Sequence, residues 1–375
     1  MNKDNLGFYL VGWKKIYNKV LALIESKRTG YDIIWNFNDV IYSKFDWSKS
    51  IELSLNELYR IRAQQLRNKY DYISLQFSGG ADSTNVLHAF IDNNIFIDEI
   101  VMQIPEMDRK NLKDFDTSER NIYGEIEYVA IPYLKSLGPK LNPNTKIVMQ
   151  DICKSALELF KNDDWIESHV PSGHVTVSTM ARQAMPIFDQ TLLKLSEKQN
   201  VCQLIGVDKP MVYFDGTDYY AYFADTSVTH ANPTELSYEN KRNNGFQTEF
   251  FYWTADLPEI VVKQAQVIKA ACEADPSKQL LWKQALVKHL GEFRDTLDPI
   301  IYPAIPRPKF QAKKPSTILI GNSMDEWFWK TASADIQNNY IEGINYLKAN
   351  ILDARGINND IANGFNSIKT KFYKL

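Results

Sequence analysis

The spacing of apolar positions divides the chain into stretches of different period. Residues 7–27 and 48–69 read as helices; in the second, Leu55, Leu58, Tyr59, Arg62 and Leu66 fall near one face, behind serines that supply an N-cap. Between them, Tyr31–Tyr42 reads as loop or short strand. At residue 70 the pattern changes. Tyr72–Phe77 is a short apolar run stopped by Ser78-Gly79-Gly80, and Asp82–Asn93 follows with Val86, Leu87, Phe90 and Ile91 at helical spacing. That order predicts strand, tight turn and helix. Further strands are predicted at Glu99–Ile104, Glu127–Ile131, Lys146–Gln150 and Val201–Val207, with helices such as Ile152–Lys161 and Phe188–Lys198 among them. Strands alternating with helices predict an α/β fold with a doubly wound, mostly parallel sheet.

Beyond the last of these strands, Met211–Phe214 and Thr217–Phe223 flank Asp215-Gly216, a pair suited to a two-residue β-hairpin turn. Asp256 with Pro258 predicts a helix start, after which Val261, Ala265, Ile268 and Cys272 line one face. The Pro-rich Tyr302–Lys309 reads as an extended connection. The chain thus divides into an N-terminal helical region, 1–69, a core of alternating strands and helices, 70–230, and a mostly helical C-terminal region, 231–375.

Composition narrows the classes of function. The 375 residues suffice for two domains or one enlarged core, and the 44% hydrophobic and 24% charged content is that of a globular protein. A net charge of −3 is not the footprint of a dedicated nucleic-acid binder, so a small-molecule substrate is expected. Cys153, Cys202 and Cys272 form no CxxC pair, and His169 with His174 lacks partnering ligands, so neither a zinc site nor a redox motif is expected. The absence of a leader pattern or an apolar span predicts a cytoplasmic location with no membrane partner.

The chemistry concentrates in Ser78-Gly79-Gly80-Ala81-Asp82-Ser83, directly after a strand and opening a helix. Two glycines remove the side chains that would keep phosphate oxygens from the backbone. The N–H groups at the helix start then face the anion, assisted by the helix dipole. Ser78 and Ser83 add hydroxyl donors. Asp82 suits a magnesium ion that offsets the phosphate charge. Neither GxxxxGK[ST] nor GxGxxG occurs.

A Ser-Gly-Gly-x-Asp-Ser string after a strand resembles the PP-loop of the N-type ATP pyrophosphatases, and among them the synthetase domain of asparagine synthetases. The resemblance covers roughly residues 50–265 and is concentrated in 70–92. It implies a five-stranded parallel sheet, ATP and magnesium as cofactors, attack of a substrate carboxylate on the α-phosphate, and displacement of AMP by a nitrogen nucleophile. It also implies a glycine and acidic residue after a later strand. Gly206-Val207-Asp208-Lys209 fits this in part, with Gly206 and Asp208 beside the nucleotide, Asp208 as a second metal ligand, and Lys209 where the family has another carboxylate. Lys209 is then a candidate to stabilise the leaving pyrophosphate. Lys263 is the candidate for the family's C-terminal catalytic lysine, and Arg182 for a substrate contact.

Absent motifs narrow the resemblance. With no cysteine before Cys153, the chain carries no N-terminal-cysteine glutaminase, so ammonia or another amine must come free, from a partner or from the substrate. The cysteine sets of thiolating, deazaguanine-forming and sulfonucleotide-reducing relatives are also missing. The expected activity is an AMP-forming C–N ligase acting on a small molecule. The alternatives are an adenylating enzyme acting on nucleotides or tRNA, and an ATP-binding protein without turnover. Oligomeric state, including a homo-oligomer, is left open.

Overall fold

Strands begin earlier than the apolar spacing predicts. The computed structural model describes residues 7–109, 121, 123–163, 165–168, 176–178, 180–181, 190–206, 209–225, 245–278, 298–302, 323–351 and 368–375. Its first elements are strands β1 (Phe8–Val11) and β2 (Lys14–Ile16), helix α1 (Lys19–Thr29), strand β3 (Ile33–Asn36) and helix α2 (Asp39–Tyr42). The helix expected over 7–27 is therefore corrected to a β-hairpin followed by a helix. Gly12, at φ +59°, takes the first central position of the two-residue turn, where glycine permits the backbone twist the strands need. Tyr9, Val11 and Ile16 then point inward. The N-terminal region is not purely helical: it holds a three-stranded antiparallel sheet in the order β2-β1-β3.

Helix α3 (Leu55–Lys69) starts at a capping box, in which the Ser54 side chain accepts from the Glu57 N–H while Glu57 reaches back to the Ser54 N–H. It buries Leu55, Leu58, Tyr59, Arg62 and Leu66 as the spacing predicts. There follow β4 (Tyr72–Gln76), α4 (Ala81–Ile91), β5 (Glu99–Ile104), α5 (Glu106–Arg109), a π-helical turn (Ile126–Ala130), α6 (Ile131–Leu137), β6 (Lys146–Asp151), α7 (Ile152–Leu159) and α8 (Trp165–Ser168). After the helix Gln190–Ser196 come β7 (Val201–Ile205), β8 (Met211–Phe214), β9 (Tyr219–Tyr222) and β10 (Phe246–Phe250). The helices Glu259–Ala274, Ser323–Thr331 and Ala334–Ile351 precede a last short strand, β11 (Tyr373–Lys374). None of the described helices is long and apolar enough to cross a membrane.

The fold is α/β, with a five-stranded, all-parallel sheet in the order β10-β7-β4-β5-β6. One of its strands is not where the sequence predicts it. Glu127–Ile131 is helical: Ile126, Ala130, Leu134 and Leu137 are buried at helical spacing, and this packing overrides the strand preference of Tyr128, Val129 and Ile131. The fifth strand is β10, from the region read as mostly helical. Its Phe-Gln-Thr-Glu-Phe pattern looks too polar for a buried strand. Yet Glu249 is satisfied by Arg62 Nη2 at 3.0 Å and Lys69 Nζ at 2.7 Å, both from α3, while Thr248 Oγ1 donates to Gln203 at 3.2 Å.

The Asp-Gly hairpin is also corrected in length. Phe214 pairs with Tyr219, so residues 215–218 form a four-residue loop, in which Asp215 Oδ1 accepts the N–H groups of Thr217 and Asp218 at 2.8 Å each. That side-chain bonding competes with a tight two-residue turn. β11 adds to the hairpin as a third strand.

A buried ion pair ties the termini together. Lys19 Nζ lies 2.7 Å from Asp225 Oδ2, with both side chains at most 1% exposed. The Tyr9 hydroxyl donates to the same carboxylate at 2.9 Å, and the Ile368 N–H at 2.9 Å. Burial pushes the Lys19 ammonium down and the Asp225 carboxyl up, each opposed by the attraction of its partner. Removing one partner strands a buried charge. Lys19→Met should therefore lower the urea unfolding free energy by about 3–5 kcal/mol, and adding Asp225→Leu should restore part of the loss.

Candidate functional site

The strand order places a topological switch point between β4 and β7. From β4 the chain moves to β5 and β6 on one side, then returns to β7 and β10 on the other. In open parallel sheets such a point leaves a crevice at the carboxyl ends of the strands, where ligands bind. Ser78–Ser83 follows β4 there, Gly206 and Lys209 follow β7, and Phe251–Trp253 follows β10.

The two loop glycines are different in kind. Gly79 has φ +79°, and a Cβ on it would lie 2.8 Å from Ala130 Cβ, so both its conformation and its packing require glycine. Gly80 is the N-cap of α4 with φ −70° and ψ 164°, a conformation open to any residue. A Cβ there would meet only the side-chain ends of Ser78 Oγ at 3.3 Å and Glu125 Oε1 at 3.4 Å. Neither strain nor packing requires glycine at residue 80, though glycine is among the residues favoured at a helix N-cap. Helix geometry leaves the leading N–H groups of α4 without intrahelical partners, Thr84 being the first to bond back, to Gly80 O at 3.0 Å. The serine hydroxyls bracket the turn: Ser83 Oγ accepts from the Ser78 N–H at 3.3 Å, and Ser78 Oγ accepts from the Gly80 N–H at 3.3 Å.

Gly206 fixes the approach of β7 to this helix. A Cβ on it would lie 3.2 Å from Asp82 C and from Ser83 N, both backbone atoms that cannot swing away. The structure thus gives Gly206 a packing role. It brings Lys209 to Asp82: Lys209 Nζ is 2.7 Å from Asp82 Oδ1 and 3.6 Å from Asp298 Oδ1, and lies 5.4 Å from the centre of the Tyr302 ring.

Around this pair stands a set of tyrosines that motif reading misses. The Tyr302 hydroxyl donates to Asp82 Oδ1, and the Tyr252 hydroxyl to the Asp82 carbonyl at 2.9 Å. Asn85 Nδ2 donates to Tyr252 at 2.8 Å, and Tyr59 donates to the Ile301 carbonyl at 3.0 Å. Burial, reinforced by nearby phenols and Asp82, pushes Tyr252 and Tyr302 well above the usual phenol range, so both stay neutral donors. One signal for Tyr252 was available: an aromatic run, Phe250–Trp253, at the carboxyl end of a strand. Asn85 was legible as a polar residue among the apolar positions of α4. Tyr302 and Asp298 are distant in sequence and gave no signal.

The structure brings together Ser78, Gly79, Gly80, Ala81, Asp82, Ser83, Gly206 and Lys209. It does not bring Lys263 to them. The Lys263 ammonium donates to the Ile51 carbonyl at 2.7 Å, while the next residue on that helix, Gln264, donates to Tyr59 at 3.1 Å and so joins the tyrosine cluster. One step along a helix rotates the side chain by about 100°, which separates the two. Asp208, Arg182, His169, His174 and 303–309 of the Pro-rich run lie outside the described residues. Among the described residues no three His, Cys, Asp or Glu side chains gather as a metal site. Asp82, the loop carboxylate, is paired with the Lys209 ammonium, and Glu125 lies at the edge of Gly80.

No protein-family model matches the chain, and no curated protein matches it.

The contrast between the glycines is testable by thermal and urea unfolding. Gly79→Ala should cost at least about 1–2 kcal/mol from its left-handed backbone alone. Gly80→Ala should cost less, about 0.5–1 kcal/mol, the difference between glycine and alanine at an N-cap.

Proposed function

We propose that this chain is an ATP-dependent, AMP- and pyrophosphate-forming enzyme of the PP-loop type, with the doubly wound core of that family, and that it joins an activated small-molecule carboxylate to a nitrogen nucleophile. The observation that carries the reading is Gly80: a glycine that neither conformation nor packing requires, at the start of a helix, at the switch point of a parallel sheet.

In this reading the β- and γ-phosphates lie against the backbone N–H groups at the start of α4, with the Ser78 and Ser83 hydroxyls beside them. A substrate carboxylate oxygen attacks the α-phosphorus, the bond to the bridging oxygen breaks, and pyrophosphate leaves with that electron pair. The amine then attacks the acyl carbon and AMP departs. Lys209 stabilises charge growing on the leaving pyrophosphate, and Asp82 and Asp298 hold its ammonium at the loop. Magnesium is commonly held by one or two carboxylates together with substrate phosphates, and Asp82 fits that requirement; the ion would neutralise phosphate charge. The neutral phenols of Tyr252 and Tyr302 keep the first turn of α4 and the Asp82 carboxylate in place without adding negative charge.

The direct Asp82–Lys209 pair favours a second reading, a nucleotide binder without turnover, because it occupies the loop's acidic group with an internal cation. Exchange of labelled pyrophosphate into ATP, run with pools of amino acids and other carboxylates, separates the two. The enzyme reading predicts substrate-dependent exchange, lost in Gly80→Val and reduced roughly 10²–10³-fold in Lys209→Met. ATP binding without exchange in any pool would overturn it.

A further inference from the structure

The two-residue turn of the N-terminal hairpin carries a tryptophan. With Gly12 fixing the turn, Trp13 stands at the tip, and its side chain is 86% exposed. Lone exposed apolar residues are ordinary, but this one has company. Tyr31, 46% exposed, meets the indole edge-to-face with ring centres 5.6 Å apart. A Cβ on Gly12 would lie 3.0 Å from the Tyr31 ring, so glycine also allows the phenol to seat against the turn. On the outward face of the same sheet, Leu10 pairs with Lys15 on one side and with Ile34, 54% exposed, on the other.

Positive side chains lie near these rings along the chain. Among the described residues, Lys14 Nζ at 3.4 Å and Arg28 Nη2 at 2.8 Å share the Glu25 carboxylate. Two cations on one half-buried carboxylate hold Glu25 at about 2, chiefly through Arg28. Lys15 and Lys27 are exposed nearby in sequence. Over residues 12–32 the exposed or half-buried charges are Lys14, Lys15, Lys27 and Arg28 against Glu25 and Asp32, locally positive in a chain of net charge −3.

We propose that this hairpin tip is a contact surface for single-stranded nucleic acid, with Trp13 and Tyr31 offering ring faces to unstacked bases and Lys14, Lys15 and Arg28 facing the phosphates. Stacking on aromatic side chains beside a positive track is how such strands are held without sequence readout. A two-fold contact between copies of the chain fits less well, because it would set Lys14, Lys15 and Arg28 near their own counterparts. A lipid surface also fits less well, since one indole and one phenol flanked by charges make no broad apolar face for insertion. The proposal is independent of the reading of the Ser78–Ser83 loop.

The test is fluorescence anisotropy of a labelled oligouridylate titrated with the full chain at several salt concentrations. Saturable binding is expected, with an affinity that falls as salt rises. It should weaken at least about fivefold in Trp13→Ala, and again in Lys14→Glu, with unchanged melting curves and unchanged ATP affinity. Lys14→Glu keeps the aromatic tip, so the electrostatic part is read even if Trp13→Ala proves unstable. Absence of oligouridylate binding, or binding by both variants as tight as that of the wild-type chain, would overturn the proposal. So would phosphatidylserine vesicle sedimentation, or a dimer in sedimentation velocity, that depends on Trp13 when oligouridylate binding does not.

Discussion

The close approach of the end of β7 to the first turn of α4 is the constraint on which the carboxyl edge of the sheet depends. Glycine favours it, because a Cβ on residue 206 would press against the backbone of Asp82 and Ser83 at 3.2 Å. With that contact made, the loop after β4 and the segment after β7 share one crevice, and Lys209 reaches Asp82. The left-handed Gly79, pressed against Ala130, fixes the other side of the loop. Two glycines therefore build the crevice, and Gly80 leaves its floor open.

The chemistry of the crevice follows from how its charges are held. Asp82 receives an ammonium and a phenol on one oxygen, and its own carbonyl receives a second phenol. Burial keeps those phenols protonated, so they act as fixed dipoles. Such groups cost little reorganisation when charge shifts between phosphate oxygens, which is what the proposed release of pyrophosphate would require. The same cluster reaches back through Tyr59 and Gln264 to α3 and the helix Glu259–Ala274, so the crevice is anchored to the core rather than to loops alone.

Much of this was legible in the sequence where one local rule dominated. The strand, turn and helix of 72–91 rest on an apolar run, a glycine pair and a helical stripe that agree with one another. The register of α3 was legible for the same reason. Elsewhere tertiary context decided. Glu127–Ile131 carries strand-forming residues but is helical because Ile126, Ala130, Leu134 and Leu137 are buried at helical spacing. Strand β10 was hidden by Glu249, whose charge is affordable in a sheet only because Arg62 and Lys69 arrive from α3. The meeting of the site's tyrosines was illegible for a related reason: Tyr59, Tyr252 and Tyr302 are separated by long stretches of chain and come together only in the fold. Lys263 lies one step round its helix from Gln264, which reaches Tyr59, and that rotation takes its ammonium to the Ile51 carbonyl.

Calorimetric titration of the chain with inorganic pyrophosphate, with and without magnesium, addresses the anion crevice most directly, because it requires no knowledge of the substrate. The account predicts one site per chain, abolished in Gly80→Val and retained in Lys263→Ala. Pyrophosphate heats absent from the wild-type chain, or undiminished in a folded Gly80→Val protein, would contradict it.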